Sequence, residues 1–360
     1  MATVIDAIIK LQDQMSDKLA AVNSNLKKTD RMAKATSKSI SNMGKNFDKA
    51  ANKLQPFAMA AVGTATLAIN AFADLDTKHR AMLNKLEVET RKSTEISKQA
   101  FIDMSLGVAK PAEELINIAN SLGGAIDGLS GQQLNKMTEE VAKFAIATDT
   151  ASDVASNMVS NTVNAFKLPA TEVPKLLDAI TAASNYSSAD VADLGEALSK
   201  CSTAAAGANQ NVYDTSAALA VLANTGVKGS EAGTGLANIF ERMANPANVE
   251  NLTKIGVAVF DAQGKMRSLV DIAADFNEKT KGMSDSEKQF ISLQTFGGIG
   301  ARAFNQLAQN AEAYRKQQQQ ITDSQGAMNQ AYEEMNQSLG ANLQLAKNSG
   351  MAIPVSYTHL

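Results

Sequence analysis

The chain has 360 residues, 44% apolar but only 5% aromatic and without tryptophan, which leaves room for two or three domains and favours thin helical layers over one thick core. A net charge of −3 argues against a polyanionic partner, and the lone cysteine, Cys201, excludes an intramolecular disulfide framework. The opening Met1 to Lys10 lacks the basic-then-apolar pattern of a secretory signal.

In chain order, residues 4–26 place Val4, Ile8, Leu11, Met15, Leu19, Val22 and Leu26 at steps of three and four, the spacing of an amphipathic helix. Lysines then spread along the sequence to Lys53, so residues 1–55 read as an amphipathic, basic helical arm. Little aromatic residue is interleaved for base stacking, so its basic face is expected in solvent and not on nucleic acid. Gln55 to Ala73 carries no charge over about the length of a membrane span. Gly63, Thr64, Thr66 and Asn70 dilute it, so a packed helix is expected, with insertion into a membrane as the alternative. Residues 74–109 read as one helix decorated with Lys/Glu pairs, on which His79 is expected to be exposed. Together, residues 56–110 form a region of Ala-rich and charged helices.

From Pro111 the rhythm changes to short helices separated by Gly, Pro, Ser and Asp, the pattern of a compact multi-helix core over residues 111–300. Ser130 with Gln133 and Ser284 with Glu287 make capping boxes. Ser152, Thr171, Ser187 or Ser188, and Asn211 are further expected helix starts. Gly226, Gly229, Gly233 and Gly235 sit in or beside a polar turn, and Leu236, Ile239, Phe240 and Met243 then repeat at helical spacing. A second glycine turn, Gly297-Gly298 with Gly300, lies within LQTFGGIGARAFNQLAQ. Between the two, Val257 to Arg267 reads as one short β-hairpin turning at Asp261 to Gly264.

Over residues 301–349 the period shifts to seven. Phe304, Ala311, Gln318, Gln325, Tyr332, Leu339 and Ala346 form one row, and Leu307, Tyr314, Ile321, Met328, Met335 and Asn342 the other. A period of about 3.5 predicts a coiled-coil-like helix that associates with other copies, interrupted by Gln318, Gln325 and Asn342 and weakened by Gly326 and Gly340. The alternative is a helix folded back on its own domain. Residues 354–360, PVSYTHL, leave the heptad and are similar to a translated adapter sequence. The expectation is a non-native tail on an N-terminal piece of a longer protein.

No constellation points to catalysis. Neither GSEAGTG nor GGIGAR supplies the lysine of a phosphate loop or the spacing of a dinucleotide loop. Asp261 to Gly264 lacks the further oxygen ligands of a calcium loop. The pairs Glu113-Glu114, Glu139-Glu140 and Glu333-Glu334 are adjacent on helices and point apart. Cys201 has no histidine nearby in sequence to activate it. The sequence therefore predicts a mainly α protein that is no enzyme and binds no cofactor or metal.

The order GVKGSEAGTGLANIFERMANP, a turn with Asp-x-x-Gly, an acidic helix, then FGGIGARAFNQL resembles the core region of phage tail tape-measure proteins, over roughly Pro56 to Ala346. The family's motif residues fall on Gly229, Gly233, Thr234, Gly235, Leu236, Phe296, Gly297 and Gly300, and the resemblance implies a structural role for them. It also implies a structural protein that sets tail length while tail-tube subunits polymerise around several copies of it, and that leaves the tube at DNA ejection. Implied partners are the tail-tube protein, tail-tip or initiator proteins and tail assembly chaperones. DNA would pass without sequence-specific binding, and a host membrane would be contacted at ejection. The implied location is the virion tail, after assembly in the host cytoplasm. The segmented core makes a poor ruler, which is expected in the sequence after the heptads. A rival reading is a helical membrane-active protein inserting through residues 55–73.

Overall fold

Helix start signals recur along the core, and the structure answers nearly every one with a helix. The structure, a computed structural model, describes residues 73–357, which fall in one packing unit, Asn70–Leu360. The amphipathic arm and all but the last residue of the uncharged stretch 55–73 lie outside the described residues. The helices are α1 (73–85), α2 (Val88–Arg91), α3 (Lys98–Gly107), α4 (Ala112–Ala125), α5 (Gly131–Ala147), α6 (Ser152–Phe166), α7 (Val173–Asn185) and α8 (Val191–Gly207). They continue with α9 (Val212–Asn224), α10 (Gly229–Met243), α11 (Pro246–Lys254), α12 (Leu269–Lys279), α13 (Asp285–Gln309), α14 (Ala311–Thr322), α15 (Ala327–Asn336) and α16 (Leu339–Tyr357).

Both capping boxes are formed, with Ser130 and Ser284 accepting from the backbone N–H three residues on and the Gln133 and Glu287 side chains reaching back. Asn211 caps α9 by accepting from Asp214 N at 2.8 Å. Other starts differ from expectation. Asp190, not Ser187 or Ser188, caps α8. Ser152 is the first helical residue of α6 and not its cap. A 3₁₀ turn, Ala170–Glu172, takes up Thr171 and leads into α7. The run 74–109 is broken at residues 86–87 and 92–97 into α1, α2, a 3₁₀ turn and α3.

The core gathers around α9. Its run from Thr215 to Ala223 is buried on every side, as a helix apolar all round must be. Helices α7, α8, α13 and α14 pack around it. Small alanines there let neighbouring backbones approach closely.

Two expectations are corrected. No strand forms among the described residues. The segment expected as a β-hairpin closes through a single antiparallel bridge, Phe260 with Met266. The pairing stays local: Asp261 Oδ1 accepts from Gln263 N and Lys265 N at 2.9 Å each, Asp261 N donates to Lys265 O at 2.8 Å and Arg267 N to Val259 O at 2.9 Å, and the chain then passes directly into α12. The heptad segment is also no continuous coiled-coil helix. It breaks near Asn310, Gly326 and Ser338 into α13 to α16. Phe304, Leu307, Tyr314, Ile321 and Met328 are each at most 1% exposed, buried in the chain's own core. Full burial of such a side chain is worth about 1.5–3 kcal/mol, gained here without the entropy cost of association.

Polar ties hold the returning helices. The Asp178 carboxylate on α7 accepts from Gly326 N and Met328 N at 2.9 Å each. Gln318 Nε2 donates to Asp214 Oδ1 at 2.6 Å, and Gln317 Nε2 donates to Tyr186 O at 3.0 Å. Of the residues that would weaken a coiled-coil seam, Gln318 and Gly326 thus find partners on α9 and α7. Farther on, Asn348 Nδ2 donates to Ser105 O at 2.7 Å and Lys110 O at 2.9 Å, seating α16 on the end of α3.

Candidate functional site

The two glycine motifs, far apart in sequence, meet in space: α10 lies between α8 and the second arm of α13. The helix opens at Gly229, earlier than the apolar run at Leu236 suggests. Gly233 and Gly235 are therefore not turn residues but lie inside the helix. A Cβ on Gly233 would stand 2.2 Å from Ala197 O and 2.8 Å from Ala197 Cα, so backbone meets backbone across α8 and α10. One on Gly235 would stand 2.7 Å from Ala303 Cβ on α13. One on Gly300 would meet Asn238 Cβ at 3.4 Å and Ile239 N at 3.5 Å, back on α10. At Gly229 the neighbour is Glu196 Oε2, 2.8 Å away. Leu236 is fully buried, and Thr234 O accepts from Asn238 Nδ2 at 2.8 Å on the same helix.

Gly297 makes the elbow of α13, with φ 68° and ψ 177°, a conformation that an L side chain resists. Its Cα faces Arg242, whose Nη2 would lie 3.0 Å from any Cβ placed there. The elbow turns the Phe296 ring onto Phe304 with centroids 4.2 Å apart, and Phe304 meets Phe276 of α12 edge-on at 5.2 Å. Arg302 Nη1 bonds Glu231 Oε1 at 2.7 Å across α10 and α13. Beside this junction runs an open groove of about 980 Å³, walled by Thr234, Gly235, Phe276, Leu293, Ile299 and Arg302.

The other candidate groups are placed apart from one another. Cys201 is buried on α8, and burial pushes its thiol up to about 12, away from the thiolate a nucleophile needs. His79 is not exposed as expected; it is 8% exposed, with Nε2 2.8 Å from Ile96 O and its ring against Phe101. Glu113 pairs with Lys78, whereas Glu114 pairs with Lys110 and accepts from Ser152, so these neighbours diverge. Burial raises the Glu140 carboxyl above its usual range while Glu139 pairs with Lys143. No group of three or more His, Cys, Asp or Glu able to hold a metal occurs among the described residues. No helix among them is long and apolar enough to cross a membrane.

Sequence reasoning missed Ala197 and Ala303, the surfaces onto which the glycines fit; alanine carries no signal of its own. It also missed Asp178, although a carboxylate between Leu177 and Ala179 on an otherwise apolar helix face was a readable sign of a buried polar tie.

The arrangement is one of close helix packing. The phage-related minor tail protein family matches residues 98–297. A tape measure protein of Pneumococcus phage Dp-1 is 24% identical over 253 residues, covering 69% of this chain and 22% of that relative. The chain thus spans about a fifth of the length of the curated relative it matches. No solved structure matches the chain. With more than half its length matched, the chain belongs to the phage-related minor tail protein family and is similar to its tape-measure proteins.

Proposed function

We propose that this chain provides the folded helical core of a tape-measure protein, a structural component of a phage tail. In that role it is a scaffold on which tail-tube subunits polymerise, several copies standing together, and it leaves the tube at DNA ejection. Its partners are the tail-tube protein, the tail-tip or initiator proteins and the assembly chaperones, with assembly in the host cytoplasm. The observation that carries this reading is the family match over residues 98–297, which spans the first glycine motif and ends at Gly297, at the start of the second. The eight motif residues act structurally, with Gly233, Gly235 and Gly300 holding α8, α10 and α13 at a spacing that larger side chains forbid.

The core is not itself the ruler. An extended helix encodes about 1.5 Å per residue, whereas these helices are short and packed side by side. Length-setting therefore belongs to extended helical sequence elsewhere in the whole protein. A stop codon ahead of residue 98 in the phage's reading frame tests the role. Electron micrographs should then lack tails, and quantitative mass spectrometry of wild-type tails should recover peptides from residues 98–297. Tails of normal number in the stop mutant would refute the proposal.

A further inference from the structure

We infer that residues 326–349 form a strap that lifts off the core as one unit, turning at Gly326, while the helices up to α14 stay folded. The strap lies across the molecule, with α15 packed on α5 and α7 and α16 packed on α3. Of residues 326–349 only Met328, Ala341 and Asn348 are buried. Met328 is the one large apolar side chain among these, and Tyr332 and Leu345 are half-buried. The helix just before is seated differently, since α14 buries Ala311, Tyr314, Gln317 and Ile321. The change falls at Gly326, whose φ of 89° suits glycine and is resisted by other residues. The chain thus bends where its deep burial ends.

Hydrogen bonds fasten the strap at both ends. At the near end the Asp178 carboxylate accepts from Gly326 N and Met328 N. At the far end Asn348 Nδ2 donates to Ser105 O and Lys110 O, and its Oδ1 accepts from Gln344 Nε2 at 2.8 Å. Between them Tyr332 OH donates to Gly107 O at 3.4 Å. The fit there is loose: a crevice of about 460 Å³ runs under the turn from α15 to α16, walled by Lys110, Glu114, Thr150, Met335, Ser338 and Gln344. Water replaces a lost hydrogen bond at small net cost, whereas apolar burial is surrendered outright, and lifting the strap surrenders little of it. A segment with few buried apolar contacts opens ahead of the core. Its two helices move together because Gln337 and Ser338 alone join them. That turn is itself bonded, with Ser338 N donating to Met335 O at 3.0 Å and Asn342 N to Ser338 O at 3.1 Å. Lifting bares the faces of α5 and α7 beneath α15 and gives the core a second, open form.

Amide hydrogen exchange of the full chain in native buffer tests this. In the wild type, hydrogen-bonded amides of residues 326–349 should share one level of protection, about 100-fold or more below that of α9 and the interior of α14. Asn348→Ala cuts only the far fastening. It should speed exchange at Gly326 and Met328 by the same factor as within α16, about 10-fold, and leave α9 and α14 unchanged. Unchanged protection of α9 also shows that the variant folds. Faster exchange confined to α16 would mean that the two helices fray separately, and would overturn the strap. Faster exchange spread equally to α9 and α14 would overturn it too, because the segment would then open only with the whole core. Wild-type protection of residues 326–349 equal to that of α9, or an Asn348→Ala variant with no change anywhere, contradicts it as well.

Discussion

Gly233 is where the residue scale decides most. The contact it makes is with the Ala197 backbone, which cannot rotate away as a side chain could, so α8 and α10 must separate to admit a methyl group. Gly233→Ala should lower stability by about 1–3 kcal/mol in urea unfolding. Gly207→Ala, at a position with nothing within 4 Å, should be neutral or gain up to about 1 kcal/mol. Equal midpoints for the two variants would contradict the close-packing account. Cys201 gives a second residue-scale expectation. Its thiol is ordinarily near 9.0 and is pushed to about 12 in the fold, so below about pH 9 it is protonated whether folded or not. Above that the unfolded chain releases a proton that the folded chain keeps, and stability falls as pH rises from 9 towards 12. Iodoacetamide at pH 8 should leave native Cys201 unmodified and alkylate it only on unfolding; rapid native alkylation would contradict its burial.

At the scale of elements, the returning segment shows where sequence reading succeeded and where it stopped. Helix existence was readable from caps and spacing because these are local. Ser130 with Gln133 and Asn211 with Asp214 need only a few neighbouring residues to act. What the heptad packs against was not readable, since Tyr314, Ile321 and Met328 satisfy an intermolecular seam and an intramolecular groove equally well by pattern. The decision lies with distant groups, Asp178 above all, 150 residues from the Met328 amide it binds. Likewise the glycines of the GSEAGTG run look like turn residues in sequence, because a Cβ-less helix surface is recognisable only once Ala197 and Ala303 are opposite. Asp178→Ala removes the acceptor of the half-buried Gly326 amide and the buried Met328 amide and should cost about 2–3 kcal/mol, with faster hydrogen exchange at both. Unchanged exchange there would show that the tie is not formed. Ile321→Asp should act in the same way, as a destabilised fold at every protein concentration; a loss of association with stability intact would instead restore the coiled-coil reading of this segment.

At the scale of the whole molecule, the glycine junction and the family match converge. The match ends at residue 297, at the elbow of α13; α10 with Gly229, Gly233 and Gly235 is inside it, and the second arm of α13 with Gly300 follows it. If the core serves the tail as a folded scaffold, its integrity should govern whether tails form, while their length is set by extended sequence elsewhere. Both effects can be separated in the phage that encodes the chain by introducing Gly233→Val and, as a control, Gly207→Ala, and imaging lysates by electron microscopy. Gly207→Ala should give tails of normal number and length. Gly233→Val should leave few or no tails, those that form having wild-type length. Normal numbers of infectious tails with Gly233→Val, from a protein shown to be destabilised, would contradict the account.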